Sequence, residues 1–181
     1  MTMRRILLAA SAALALGLSP GAQASARSEL AFDSEHALEK LYRSEPFAED
    51  IAQRAKAILV FPNIVKGGFI FGGSYGEGVL FTQKQAGQYY NALSGSWGFQ
   101  AGIQSYGYVL FLMNDRALDY LDKSDGWELG VGPTIVVVDA GVAKNLTTTT
   151  LNDDVYAFVF NQSGLMAGLA IEGSKISEID P

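Results

Sequence analysis

A glycine-rich stretch, residues 62–80, constrains the fold of this chain more than any other segment. Its six glycines lie among β-branched and aromatic residues: Gly67, Gly68, Gly72, Gly73, Gly76 and Gly78. Glycine weakens the interior of a strand, and it occurs there where a sheet bends sharply or where another backbone comes close. We therefore predict a strongly curved sheet in which these six are structural glycines, with one strand halted at Pro62 and a hairpin turn near residues 75–77.

The apolar periodicity predicts helices first and strands afterwards. Residues 28–43 place apolar side chains at helical spacing. Ser44 as N-cap with Pro46 in the first turn is typical of the start of a second helix, which should run to about Ala55. A third, short helix is expected at residues 115–121, capped by Asn114. Strands are predicted at residues 57–61, 67–74, 77–83, 88–93, 97–104, 108–113, 127–138, 155–160 and 165–171.

The connections between successive strands are short, which favours antiparallel neighbours. Residues 108–113 are apolar on both faces and should be covered on both sides, and Pro133 predicts an edge position or a bulge within residues 127–138. The fold class is therefore α+β: a curved, largely antiparallel β-sheet or barrel with the N-terminal helices packed against it. An open twisted sheet is the alternative to a closed barrel.

Residues 1–24 are typical of a signal peptide. Arg4 and Arg5 precede an apolar run at residues 6–18, and Ala22 and Ala24 are the small residues expected before a cleavage site. A retained anchor is the alternative, although the run is shorter than the roughly 20 residues that cross a bilayer. We expect residues 25–181 to form a single domain that is periplasmic or secreted, with peripheral membrane association as an option. The chain has no cysteine, so we do not expect a lipoprotein.

The net charge of the chain is unfavourable for binding nucleic acid. It is −6 for the whole sequence, and loss of the two arginines in residues 1–24 makes it −8. A protein that binds a duplex needs a basic surface that displaces counterions, and no cluster of lysine and arginine supplies one here. We therefore expect no nucleic-acid partner.

The sequence holds little that is typical of catalysis. Residues 72–76 match the pattern Gly-x-Ser-x-Gly, but this pattern needs Ser74 on a strand-to-helix turn and a histidine later in the chain, whereas His36 is the only histidine. The acidic residues 115, 119, 122 and 125 lack the spacing of a calcium loop and favour a solvated helix face. We expect no enzyme, no metal and no cofactor.

Several segments together resemble the SYLF domain family. The segments are residues 56–69, which include Pro62-Asn63 and Lys66-Gly67-Gly68, followed by Gly76-x-Gly78-Val79-Leu80, residues 95–104, residues 109–114, Gly132-Pro133 and residues 164–174. The resemblance covers roughly residues 46 to 176, most of the chain after residue 24. It implies the fold and a general role in binding membrane lipids, notably phosphoinositides in eukaryotic members, some of which also bind actin filaments.

One feature of the family pattern is different in this sequence. The eukaryotic lipid contact is associated with a basic amphipathic N-terminal helix, whereas residues 28–50 hold seven acids against Lys40 and Arg43. This composition argues against phosphoinositide recognition by that route. Because residues 1–24 indicate export, the sequence predicts that actin is not a partner.

The residues that could bind a lipid flank the glycine-rich stretch. Arg54, Lys56 and Lys66 are the closest approach to a basic cluster, and three aromatic residues are expected nearby: Phe69, Phe71 and Trp97. Cations beside aromatic side chains suit an amphiphile with an anionic headgroup. For any single one of these residues, an ordinary core or surface position is the alternative.

Two classes of function follow from the sequence. The first is a non-enzymatic protein of the bacterial cell envelope that binds a membrane lipid or another anionic amphiphile. The second is a structural or protein-interaction domain without a lipid ligand, for example one that binds an envelope protein, with exposed strand edges and the glycine-rich face as its docking surface.

Overall fold

The computed structural model describes residues 20–68, 71–82, 86–97, 102–123, 127–129, 131–138, 142, 151–160 and 174–180. The strand predicted at residues 165–171 lies outside this range. Wherever the structure describes a helix, none has both the length and the apolarity needed to cross a bilayer.

Two helices open the described chain. Helix α1 spans Pro20–Ser44 and α2 spans Pro46–Ala52, so the predicted pair is confirmed. The cap was predicted wrongly, because the Ser44 hydroxyl donates to the carbonyl oxygen of Leu41 and Glu45 takes the N-cap position of α2 without a side-chain bond. The predicted cleavage point before Ser25 lies within α1 of the full chain, and cleavage stays a prediction.

Eight strands and a third helix follow. The elements are β1 Ala57–Gly68, β2 Phe71–Thr82, β3 Ala86–Trp97, β4 Gly102–Leu112, α3 Asp115–Lys123, β5 Trp127–Glu128, β6 Ile135–Val138, β7 Val155–Phe160 and β8 Lys175–Ile179. They form one sheet in the order β5-β8-β3-β2-β1-β4-β7-β6. All pairs are antiparallel except β6 with β7. The predicted α+β class is confirmed, and the sheet curls as a half-barrel whose edges are β5 and β6 among the described strands.

Pro62 does not end the first strand, contrary to the prediction. The pairing of β1 shifts register between Val60 and Asn63 on the β2 side and between Phe61 and Ile64 on the β4 side. A bulge accommodates a proline because a bulged residue leaves the hydrogen-bonded ladder, so its missing N–H is not needed. The strand therefore continues beyond the proline as far as Gly68.

The first hairpin also differs from the prediction. Strand β2 runs without a turn through Tyr75 and Glu77, and the register of the β1–β2 pair closes on Gly68 opposite Gly72. The connection between the two strands therefore lies outside the described range, and not at residues 75–77. Six glycines in one stretch offer several turn positions, and only the cross-strand register decides between them.

The two faces of the sheet bury two separate cores. On the α1 face, helices α1 and α2 cover a cluster that includes Val60, Val109 and Phe111. The opposite face, here called the α3 face, buries a larger cluster with Trp127 and Leu121 of α3. Strand β4 contributes to both clusters, as its apolar residues predicted.

The polar junction at the start of α3 is also as predicted. The Asn114 side chain accepts the Ala117 N–H at 3.0 Å. This bond satisfies one of the backbone donors that the first turn of a helix leaves without an intrahelical partner. Asn114 therefore caps α3.

Two of the six glycines are required by close packing on the α3 face. A Cβ at Gly76 would lie 2.6 Å from the Ile64 side chain, and one at Gly78 would overlap the Val60 carbonyl oxygen and the Phe61 ring. These side chains of β1 lie directly over the backbone of β2. The prediction that another group needs the missing side chain is correct at these two positions.

The C-terminal strands deviate most from the predicted pattern. The strand predicted at residues 127–138 is two strands, β5 and β6, and Pro133 lies between them. Strand β8 was not predicted, although its Ile176 is fully buried and pairs with Ala92 of β3. Strand β7 lies between β4 and β6, far in sheet order from β8.

Candidate binding face

The three predicted cations do not form one cluster. Lys56 precedes β1 and lies 3.4 Å from Asp115 of α3, with Arg54 two residues before it. Lys66 lies near the other end of β1, ten residues further on, which corresponds to roughly 30 Å along an extended strand. Alternation from the buried Ile64 places Lys66 on the α3 face. Arg54 and Lys56 therefore cannot share a headgroup with Lys66.

The predicted aromatic group is only partly described. Phe71 and Trp97 are directly opposite each other in the β2–β3 register, which agrees with their expected proximity. Their side chains and the whole of Phe69 lie outside the described residues. The lipid-binding assignment of these residues stays a prediction.

The motif that suggested a nucleophile has a structural role. Ser74 lies in the middle of β2 on the α3 face, where it is buried, and its hydroxyl is 2.6 Å from the Ser94 hydroxyl of β3. No helix follows it directly, so the strand-to-helix turn that a nucleophilic serine needs is missing. The serine pair therefore links β2 to β3 at paired positions.

The acidic residues of α3 have cationic or hydroxyl partners. Asp119 bonds Lys123 at 2.6 Å, Asp115 lies near Lys56, and the Tyr90 hydroxyl is 3.5 Å from Asp122. Among the residues that the structure describes, no group of three carboxylate or imidazole side chains converges on one point. The arrangement is that of a solvated helix face.

The α3 face is filled by its own side chains. Its largest fully buried residues include Tyr90, Tyr106, Tyr108, Phe61 and Trp127. Burial raises the pKa of the Tyr108 hydroxyl, which is fully enclosed and has no hydrogen-bond partner. A bound molecule would therefore have to displace this core or lie outside it.

An exposed apolar surface does exist on the α1 face, at the end of the sheet beyond the helices. Val65, Tyr75 and Leu93 are paired in register across β1, β2 and β3. They are 45%, 46% and 57% exposed, and Ile103 of the neighbouring β4 is 83% exposed. We call the three paired residues the ridge. Alternation along β2 from Phe81, which packs against the helices, places Tyr75 on this same face.

A row of glycines runs beside the ridge. Gly67, Gly73 and Gly95 are paired in register across the same three strands, two residues from Val65, Tyr75 and Leu93 respectively. A Cβ at Gly67 or Gly95 would have nothing within 4 Å, and one at Gly73 would meet only the Ser94 carbonyl oxygen, at 3.4 Å. We call these glycines the furrow. They leave bare backbone that another surface can approach closely.

A hydrogen bond to Glu77 keeps Tyr75, the aromatic residue of the ridge, in its neutral form. The Tyr75 hydroxyl donates to Glu77 at 2.6 Å, and this bond, with burial and the carboxylate charge, raises the pKa of Tyr75 to about 12. The phenol therefore stays protonated across the physiological pH range. The ring presents an apolar edge beside the furrow.

The ridge was not predicted from the sequence. Its signal is a bulky residue two positions from a glycine on three strands, as in Val65-Lys-Gly67 and Leu93-Ser-Gly95. The pattern indicates a continuous surface only when the register of the strands shows that the three pairs lie side by side.

Comparison with known proteins finds similarity to one family. Residues 93–180 match the family model Ysc84, described as a Las17-binding protein actin regulator. This match confirms the predicted resemblance to the SYLF family. It is 28% identical over 136 residues to LAS seventeen-binding protein 3 and 26% identical over 135 residues to Protein YSC84, both of Saccharomyces cerevisiae. Each match covers 71% of this chain and only 29% of the relative.

These relatives correct one prediction. Actin was predicted not to be a partner, whereas the family description names an actin regulator and one relative is named LAS seventeen-binding protein 3. The exclusion relied on the compartment inferred from residues 1–24, a segment outside the domain. A targeting segment gives no information about which surface a domain presents.

Proposed function

We propose that this chain is a non-enzymatic protein-interaction domain that binds its partner through the ridge and furrow. One observation carries the proposal: four exposed apolar side chains border a strip of bare glycine backbone on an ordered sheet. Contiguous apolar surface of this kind marks interaction sites on folded proteins. Glycine at the contact lets the partner backbone approach closely, which favours a flat protein surface over a small ligand.

The family description directs the choice of partner. Because members are described as actin regulators, we take actin filaments as the first probe. The shared match is confined to 29% of the relatives, so the partners of those proteins enter here as a hypothesis to be measured.

Co-sedimentation with actin filaments tests this function. The wild-type chain should pellet with filaments, and Leu93→Arg should weaken binding about tenfold, because a charge buried in an apolar contact loses its hydration. Phe32→Arg is the matched control, since Phe32 is also apolar and 68% exposed but lies on α1. Equal binding by the wild type and Leu93→Arg would remove the ridge from the contact.

A lipid surface is the second candidate, and the exposure of Tyr75 and Leu93 favours it. An aromatic ring with a polar tip and neighbouring aliphatic side chains suits the boundary between headgroups and acyl chains. In this proposal the protein is periplasmic or secreted after loss of residues 1–24, and peripheral on a membrane of the cell envelope.

Vesicle co-sedimentation at two salt concentrations separates the lipid contacts. If the ridge inserts, Leu93→Arg should reduce binding to neutral and anionic vesicles alike, and Lys66→Glu should leave it unchanged because Lys66 lies on the α3 face. If the predicted cation matters, Lys66→Glu should reduce anionic-vesicle binding only, and more at low salt. Absence of binding to either vesicle would exclude the lipid function.

A further inference from the structure

We infer that the ridge and furrow form a self-complementary surface through which two copies of this chain associate face to face. This inference rests on the proposed function, since it takes the same surface as a docking site and names a second copy as its occupant.

The rows have the spacing that a two-fold axis requires. Each strand from β1 to β3 carries one bulky residue and one glycine two positions apart on the same face. A two-fold axis running across the strands, midway between the rows, exchanges ridge and furrow. It places Val65 opposite Gly67 of the second copy, Tyr75 opposite Gly73, and Leu93 opposite Gly95. An isologous contact needs this kind of self-complementary patch.

The heights of the two rows also match. Face-to-face sheets lie about 10 Å apart, and the side chains between them interdigitate. Two bulky residues directly opposite each other would hold the sheets further apart, and two glycines would leave a void. A bulky residue facing a glycine fills the space between the sheets with a single side chain, and this holds at each of the three strands. On β4, Ile103 pairs with Gly67 and Ser105 pairs with Val65, so Ile103 of one copy would face Ser105 of the second copy.

The size of the patch sets the strength of the association. Four strands about 4.8 Å apart and two rows about 7 Å apart give an area of roughly 20 by 15 Å. This is less than half of the about 800 Å² per partner in an interface of standard size. The dimer should therefore be reversible. Because each copy has a net charge of −6, added salt should strengthen it by screening the repulsion.

The association would compete with other ligands. A partner that covers the ridge and a second copy that covers the ridge exclude each other. Dilution or partner binding should each release monomer.

Sedimentation equilibrium with a row exchange tests the inference. Gly95→Leu alone should raise the dimer dissociation constant about tenfold or more, because the introduced leucine would meet Leu93 of the second copy. The double variant L93G/G95L exchanges the two rows on β3, so leucine again faces glycine, and it should restore the dissociation constant to within about threefold of wild type. A Cβ at Gly95 has open space around it, and circular dichroism checks that each variant is folded.

The outcomes separate this inference from the proposed function. Failure of the double variant to recover, or a wild-type chain that stays monomeric at millimolar concentration, would overturn self-association. If Leu93→Arg then still weakens binding to filaments or vesicles, the docking surface stands and only the second copy is excluded. If Leu93→Arg changes neither self-association nor binding of these probes, both proposals fall.

Discussion

The α1 face of the sheet has two halves that use the same strands differently. Under the helices, Val60, Val109 and Phe111 are fully buried, whereas further along the same strands Val65 and Ile103 are exposed. The bulge at Pro62 separates the two halves on β1. The covered half adds a buried core to the larger one on the α3 face, and the bare half should accept substitutions that change binding without unfolding the domain. This division gives a set of matched experiments.

The largest expected effect comes from truncating equivalent side chains in the two halves. Phe111→Ala should lower the free energy of unfolding by about 3–5 kcal/mol, since it leaves a cavity beneath the helices. Leu93→Ala should change it by less than about 0.5 kcal/mol, because this residue is already largely exposed. Urea denaturation measures both. Similar losses for the two variants would show that the bare half also supports the fold.

The polar junction at the start of α3 gives the next largest effect. The Asp154 carboxylate accepts bonds from Asn114 at 2.8 Å and from the Thr134 N–H at 2.8 Å, and Arg116 lies 3.3 Å away. Asp154→Asn should cost about 2–3 kcal/mol, since one of these donors loses its acceptor. Asp153→Asn is the matched control, because Asp153 accepts only a 3.2 Å bond from Tyr156 among these groups. A loss as large in the control would indicate a general charge effect.

The same junction predicts a dependence on acid. The bonds from Asn114 and Thr134 lower the pKa of Asp154 below its ordinary value of 3.8. A carboxyl group with a lowered pKa in the folded state stabilises the fold above the pKa of the unfolded chain, and this contribution is lost as the pH falls through the folded value. The unfolding free energy of the wild type should therefore decrease below about pH 4 more steeply than that of Asp154→Asn. Parallel curves for the two proteins would contradict the assignment.

Glycines in the two positions should respond in opposite directions. Gly78→Ala should destabilise by about 1–3 kcal/mol because its methyl group would overlap the Val60 carbonyl and the Phe61 ring. Gly67→Ala has open space and should be neutral or stabilising by up to about 1 kcal/mol. Thermal unfolding compares the two. A loss at Gly67 equal to that at Gly78 would mean that the furrow is needed for folding.

The smallest effect is expected at the ridge itself. Tyr75→Phe removes the bond to Glu77, which is exposed, so the unfolding free energy near pH 7 should change by less than about 0.5 kcal/mol. The raised pKa of Tyr75, about 12 against 10 when unfolded, contributes stability below pH 10 that is lost as the pH rises towards 12. The phenylalanine variant should lack that alkaline component. A fluorescence-monitored titration of both proteins measures it.

The sequence predicted local features better than contacts between distant segments. The cap at Asn114 and the doubly buried strand β4 depend on neighbouring residues, and both are as predicted. The turn near residue 75 and the end at Pro62 depend on cross-strand pairing, and both predictions were wrong. Strand Lys175–Ile179, which also depends on such pairing, was not predicted. The distance between Lys56 and Lys66 was not predicted either. The strand was expected to end at Pro62, whereas it continues through the proline and carries the two lysines further apart.

The two ends of the described chain are fastened together. Arg27 near the start of α1 forms an ion pair with Asp180 beyond β8, and its guanidinium lies over the Tyr89 ring. When the two ends of a domain lie close together, the domain can be inserted into a longer polypeptide without separating the segments that flank it. That geometry suits a domain that matches only 29% of the length of its yeast relatives.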